Sequence, residues 1–144
     1  MKKLSALVVI VSLVLFSCKG KIQTEKTVNE KVANKIEVID FHSTHRCMTC
    51  NAIESSTKFT LDTYFKNEVE NNKITFQVVN VDLDENLKIA EKFEATGTAL
   101  FLNVVKDGKE EQIDLTEFAF MNGNDQKVFS DELKVKLEEA LKTI

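Results

Sequence analysis

Ile36-Glu37-Val38-Ile39-Asp40-Phe41 and, five residues further on, Cys47-Met48-Thr49-Cys50 form the stretch on which the reading of this 144-residue chain turns. The first segment has the length of a strand, is rich in β-branched residues and is almost continuously apolar, which suits a strand covered on both faces. The second places two cysteines at i and i+3, so a helix beginning near Cys47 carries both on one face. A sulfur at such a helix start lies beside backbone N–H groups that have no partner within the helix. A thiolate there is favoured by ~0.3–1 kcal/mol when exposed, and cationic Arg46 with a protonated His45 adds to the same bias. Cys47 is therefore expected to be the nucleophile. Cys50, one turn deeper, is expected to be the resolving thiol that attacks the mixed disulfide.

Downstream of the cysteines, Ile53, Leu61, Tyr64 and Phe65 extend the helix towards Val69, with Ser55-Ser56-Thr57 expected to weaken or bend it. Residues 74–81, dense in Ile, Phe and Val, predict a second strand, and Asp84 offers an N-cap for a short helix carrying Leu87, Ile89, Ala90 and Phe93. Residues 99–105 predict a third strand. Lys106-Asp107-Gly108-Lys109 is a hairpin turn signal, with Gly108 supplying a positive φ, before a strand over about residues 111–115. Phe118, Phe120 and Met121 fit a short packed turn, and Asn122-Gly123-Asn124-Asp125 fits a loop. Phe129, Leu133, Leu137, Ala140, Leu141 and Ile144 then recur at helical spacing behind a cap at Asp125 or Ser130. The order β, α, β, α, β, β, α predicts an α/β domain over residues 36–144. Its alternating part implies parallel crossovers, its hairpin an antiparallel pair, and the result is a mixed sheet with helices on both faces.

A resolving thiol needs a proton acceptor. Asp40 lies in an apolar strand just before the cysteine pair, and a buried carboxylate of raised pKa there would serve as base. An aspartate at a strand end standing in water is the alternative reading. A Cys-x-x-Cys pair placed directly after an apolar strand and opening a helix resembles the thioredoxin superfamily. The resemblance runs from about Ile36 to the C-terminus and rests on Val38-Ile39-Asp40-Phe41, on Asn80-Val81-Asp82, on Lys92-Phe93 and on Thr96-Gly97-Thr98-Ala99. More narrowly, His45-Arg46-Cys47-Met48-Thr49-Cys50-Asn51-Ala52-Ile53-Glu54 is similar to a thioredoxin-like lipoprotein group labelled ArsF-like nitroreductase subunit. The resemblance implies a three-layer sandwich around about four strands, with Cys47 attacking, Cys50 resolving and Asp40 as the buried acid. Nothing resembles a flavin site, and no cofactor is expected. The chain departs from the family at His42 and Arg46, which replace its two flanking tryptophans, and at Ala99, which stands where the family has a cis-proline. A cis bond before alanine would cost ~3 kcal/mol, so a trans bond is expected.

Two other readings of the same residues stay open. His42, His45, Cys47 and Cys50 supply two imidazoles and two thiols within nine residues, a ligand set suited to zinc or copper. Alternatively the Cys47–Cys50 bond never cycles and merely fastens the helix start of an interaction module, although a bridge closing so short a loop constrains little chain entropy. The partners expected of the redox reading are protein or small-molecule thiols and disulfides, including a redox partner in a membrane. No serine sits in a sharp glycine-flanked elbow, which argues against serine-type catalysis.

Met1-Lys2-Lys3 followed by the apolar run from Leu4 to Phe16 has the grammar of a secretory signal and is short for a membrane span. Leu15-Phe16-Ser17-Cys18 resembles the lipobox of bacterial lipoproteins. Residues 1–17 are thus expected to be removed and Cys18 lipidated, anchoring the chain in the bacterial cell envelope at a periplasmic or outer-membrane face. Residues 18–35, polar and without hydrophobic period, read as a tether. Loss of Lys2 and Lys3 leaves 17 basic against 23 acidic side chains, a balance that argues against nucleic acid as a partner. Export would place the cysteines where disulfides persist. Cys18→Ala is expected to move the protein from the membrane to the soluble fraction on cell fractionation; unchanged partitioning would count against the lipid anchor.

Overall fold

The computed structural model describes residues 33–144. The expected leader over residues 1–17, Cys18 and all but the last three residues of the expected tether lie outside the described residues. Four strands, β1 (Lys35–His42), β2 (Ile74–Asn80), β3 (Ala99–Lys106) and β4 (Lys109–Asp114), form one sheet in the order β2-β1-β3-β4. β1 pairs in parallel with β2, Ile36 opposite Ile74, and antiparallel with β3, Phe41 opposite Ala99. It is thus hydrogen-bonded on both edges, as its continuous apolar character requires.

Alternation along β1 divides the core in two. Ile36 and Val38 join Ile53 and Leu61 of α1 (Met48–Tyr64), Ala119 of α4 (Thr116–Asn122), and Phe129, Leu133 and Leu137 of α5 (Gln126–Leu141). Ile39 and Phe41 face the other way, onto Val79, Phe101 and Phe93, the last of these at the end of α3 (Leu87–Lys92). The rings of Phe41, Phe93 and Phe101 meet at centroid distances of 5.2–6.0 Å. The domain is therefore an α/β three-layer sandwich of thioredoxin-like kind, with α1, α4 and α5 against one face of a mixed sheet and α3 against the other.

Several elements differ from the expectation. The first helix ends at Tyr64, and a separate short helix, α2 (Lys66–Glu70), follows. Phe65 leaves helical backbone values (φ −128°, ψ 23°), closes α1 through its N–H to the Leu61 carbonyl, and is buried in the core. The Ser55-Ser56-Thr57 stretch does not break α1. Ser56, Thr57 and Thr60 are buried, and the Thr60 hydroxyl donates to the Ser56 carbonyl at 2.7 Å. Asp84 does not cap a helix; it opens a single 3-10 turn, and α3 begins three residues later. Residues 116–122 are a helix rather than a turn, started where Asp114 accepts the Thr116 N–H at 2.8 Å. Only the β1-α1-β2 connection is a parallel crossover, because the chain re-enters the sheet after α3 in the antiparallel sense.

The hairpin turn forms as its residues dictate, with positive φ at both Asp107 and Gly108. Asp125 caps α5 by accepting the Val128 N–H, and Ser130 is buried inside that helix. Just before this cap, Gly123 lets the loop between α4 and α5 touch the first turns of α1. A Cβ at this position would lie 2.7 Å from the Ala119 carbonyl oxygen and 2.9 Å from Ile53 Cγ1. Asn124 then donates to the Thr49 hydroxyl at 3.2 Å. Gly123→Ala is expected to destabilise the fold by about 1–3 kcal/mol through overpacking, read as a lower urea midpoint with unchanged slope. An unchanged midpoint would show that the loop yields freely.

Candidate functional site

Cys47 caps α1. Its sulfur accepts the Cys50 N–H at 3.0 Å, while the Cys50 sulfur accepts the Cys47 N–H at 3.2 Å. The two sulfurs form a disulfide, with Cα atoms 5.0 Å apart. Cys47 is exposed and Cys50 is 5% exposed, so the first cysteine of the pair faces solvent and the second is buried. The site has the geometry expected of a thiolate position, because backbone N–H groups at a helix start already point at sulfur.

The approach to Cys47 is held by the end of β2. Asp82 accepts the Thr44 N–H at 2.7 Å, Asn80 donates to the Thr44 hydroxyl at 3.1 Å, and Asn86 donates to the Asn80 carbonyl at 2.9 Å. The hydrogen bonds from Thr44, with the nearby His45 and His42, hold the Asp82 carboxyl below the usual carboxylate range. His42 turns its Nδ1 to the Ser43 carbonyl at 2.9 Å, and His45 is exposed. Among the described residues no group of three or more His, Cys, Asp and Glu side chains is arranged to hold a metal ion.

Asp40 lies on the same face of β1 as Ile36 and Val38 and is fully buried. Neither of its carboxylate oxygens has a hydrogen-bond partner among the described residues. Arg46 Nη2 stands 3.6 Å from Asp40 Oδ2, beyond hydrogen-bond reach, and donates to the Cys50 carbonyl at 3.2 Å. Arg46 Nη1 binds Glu54, which also takes Lys58. Burial pushes the Asp40 carboxyl up from 3.8 to about 7, opposed by the charge of Arg46, reinforced by that of Glu54 and opposed by Lys58. Glu54 is affected differently. Burial works to raise its pKa, but hydrogen bonds from Lys58 and Arg46 outweigh it and hold the carboxyl below the ordinary range.

The structure thus brings Cys47, Cys50, Arg46 and Asp40 to one place and leaves His45 and His42 on the approach. Arg46 reaches inward to Asp40, Glu54 and the Cys50 carbonyl. Sequence reasoning gave Glu54, Lys58, Asn80 and Asp82 no role. Glu54 and Lys58 carried a signal in their i, i+4 spacing, whereas the Arg46–Glu54 pair spans eight residues and two elements. The Thr98–Ala99 peptide is trans, as expected from the cost of a cis bond. Gly97 brings its segment close to the approach loop, where an added Cβ would sit 3.8 Å from the Ser43 hydroxyl. A cleft of about 500 Å³ opens beside this segment, lined also by Lys92, Gln112, Asp114 and Thr116 but by neither cysteine.

No family model and no curated protein matches the chain. Among solved structures, a chain described as a malarial protein is 19% identical, covering 62% of this chain and 96% of its own, with a TM-score of 0.39. A likeness of that degree carries no argument about fold or function.

The pKa of Asp40 makes stability depend on pH in a definite sense. Below about pH 4 the carboxyl is protonated whether the chain is folded or not; between about 4 and 7 the unfolded chain ionises while the folded one holds its proton. Stability is therefore lost as pH rises through that window, by a term on the order of 4 kcal/mol. Asp40→Asn is expected to gain about 2–4 kcal/mol over the wild type at pH 8 relative to pH 4 in urea unfolding. An equal difference at both pH values would place the native carboxylate in a solvated setting.

Proposed function

We propose that this protein is a thiol-disulfide oxidoreductase or redox electron carrier of the thioredoxin-like superfamily. The observation that carries the reading is the Cys47–Cys50 disulfide at the start of α1, exposed at its first residue and buried at its second, on the helix packed against the face of β1 that carries Asp40. Among the described residues no helix is long and apolar enough to cross a membrane. Attachment to the bacterial envelope, through lipidated Cys18, is proposed on the leader sequence alone. The partners proposed are proteins or small molecules bearing thiols or disulfides, among them a redox partner in the membrane.

In the reducing direction the dithiol form reacts. The Cys47 thiolate attacks one sulfur of a substrate disulfide, forming a mixed disulfide and expelling the other sulfur as a thiolate. Cys50 then gives its proton to the Asp40 carboxylate and attacks Cys47. The intramolecular disulfide forms, the second substrate sulfur leaves as a thiolate, and two electrons have passed to the substrate. The proton on Asp40 returns to solvent or to a leaving thiolate. A dithiol partner resets the pair; run backwards, the same steps oxidise a dithiol. A carboxyl with a pKa near 7 suits this proton transfer, since it can both accept and release at neutral pH.

The proposed mechanism gives the two sulfurs different tasks. Cys47→Ser is expected to abolish exchange with a disulfide substrate, while Cys50→Ser accumulates mixed disulfides at Cys47, visible as adducts by mass spectrometry of the intact protein. Adducts at Cys50 in the Cys47→Ser variant would reverse the assignment. A pair that dithiols reduce without any turnover would leave only a structural bond.

A further inference from the structure

The guanidinium of Arg46 is shared among three groups: the carbonyl of Cys50, the carboxylate of Glu54, and the unpartnered carboxylate of Asp40. Its position decides how much positive charge Asp40 meets. Among the described residues no other cation pairs with Asp40; Lys58 is bound to Glu54 one helical turn along α1. Its neighbours across the sheet are Val78 on β2 and Leu100 on β3, both uncharged. The charged groups acting on Asp40 are therefore Arg46 from the approach loop and Glu54 and Lys58 from α1.

We infer that Arg46 is a positioning residue held in competition between Glu54 and Asp40, and that this competition sets the pH at which Cys50 gives up its proton. The inference rests on the redox reading above and adds to it the device that regulates the resolving step. Glu54 takes Nη1 and the Cys50 carbonyl takes Nη2, which stands 3.6 Å from Asp40 instead of in a charge-assisted hydrogen bond. Full engagement with Asp40 would hold that carboxylate ionised and make it a poor base. Loss of the cation would leave a buried carboxyl protonated at neutral pH and unable to accept a proton. The Glu54–Arg46 pair holds Asp40 between these limits. The interior Nε of Arg46 has no hydrogen-bond partner, so the bonds that orient the guanidinium are those made by Nη1 and Nη2. The same pair also explains an arginine directly before the cysteines whose side chain is turned inward.

The two carboxylates pull in opposite senses, so their removal has opposite results. In the full chain, the titration of Asp40 is followed by carbon-13 NMR of its carboxyl in the oxidised form. The resolving rate is followed by stopped-flow release of a thiol chromophore from the mixed disulfide in the reduced form. Arg46→Gln is expected to raise the Asp40 midpoint by about one pH unit or more and to slow resolution about tenfold at pH 6, with rates converging on the wild type near pH 9. Glu54→Gln is expected to lower the midpoint and move the rate profile to lower pH. Arg46→Lys keeps the charge and is expected to stay closer to the wild type than Arg46→Gln in both measurements, which also covers the case in which Arg46→Gln fails to fold. Midpoints that move in the same direction in Arg46→Gln and Glu54→Gln, or in neither, would overturn the inference. Shifted midpoints with an unshifted rate profile would overturn it too, while leaving disulfide exchange itself standing. A wild-type protein that exchanges no disulfide fails the redox reading first, and that result is distinct from these.

Discussion

A carboxylate carried on the central strand of a sheet, with hydrogen-bonded strands on either side and a helix packed above, is the constraint around which the domain is organised. β1 can deliver Asp40 to that position only because both of its edges are paired and its neighbouring side chains are apolar. An ionised group there is costly in the absence of hydrogen bonds, and Asp40 has none. The structure does not supply a matched ion pair in its place. It sets an arginine at a distance, binds that arginine to a second carboxylate, and leaves the buried acid with a proton affinity near neutrality. Such an arrangement lowers folding stability at neutral pH, and it suits the proposed role of Asp40 as proton acceptor for Cys50.

How far this was legible in the sequence follows from the range of the interactions involved. β1 and β3 could be read from residues 36–41 and 99–105 because a doubly covered strand needs an almost unbroken apolar run. The cysteine pair declared the helix start through its spacing, and Asp40 stood out as a charge inside an apolar segment. The hairpin followed from the positive φ that Asp107 and Gly108 accept. By contrast, nothing local distinguishes Phe65 from a helical residue; it ends α1 where the chain passes from one helix to the next with a ring to bury. α4 is only seven residues long and too short for a periodic signal. The short helix after β2 begins behind Asn86 rather than Asp84, because residues Asp84–Asn86 form a 3-10 turn ahead of it, in which the Asn86 side chain donates to the Asn80 carbonyl.

Arg46 illustrates the limit of reading charges by proximity in sequence. Adjacent to Cys47, it reads as a cation that favours the thiolate; folded, it places its guanidinium on Asp40, Glu54 and the carbonyl of Cys50. The nearest charged neighbour in the chain is thus directed at the backbone of Cys50, the buried member of the pair. The sulfur of Cys47 meets backbone instead, through the N–H of Cys50. Local spacing located the pair, and tertiary contacts determined which group answers to which charge.

The first turn of α1 also depends on residues that come much later. Thr49 receives its hydrogen bond from Asn124, and Gly123 packs on Ile53 and Thr49 from seventy-odd positions downstream. A polypeptide is made from its N-terminus, so both cysteines are made well before the loop that completes their surroundings. The first turn of α1 is therefore complete only in a chain made past Asn124.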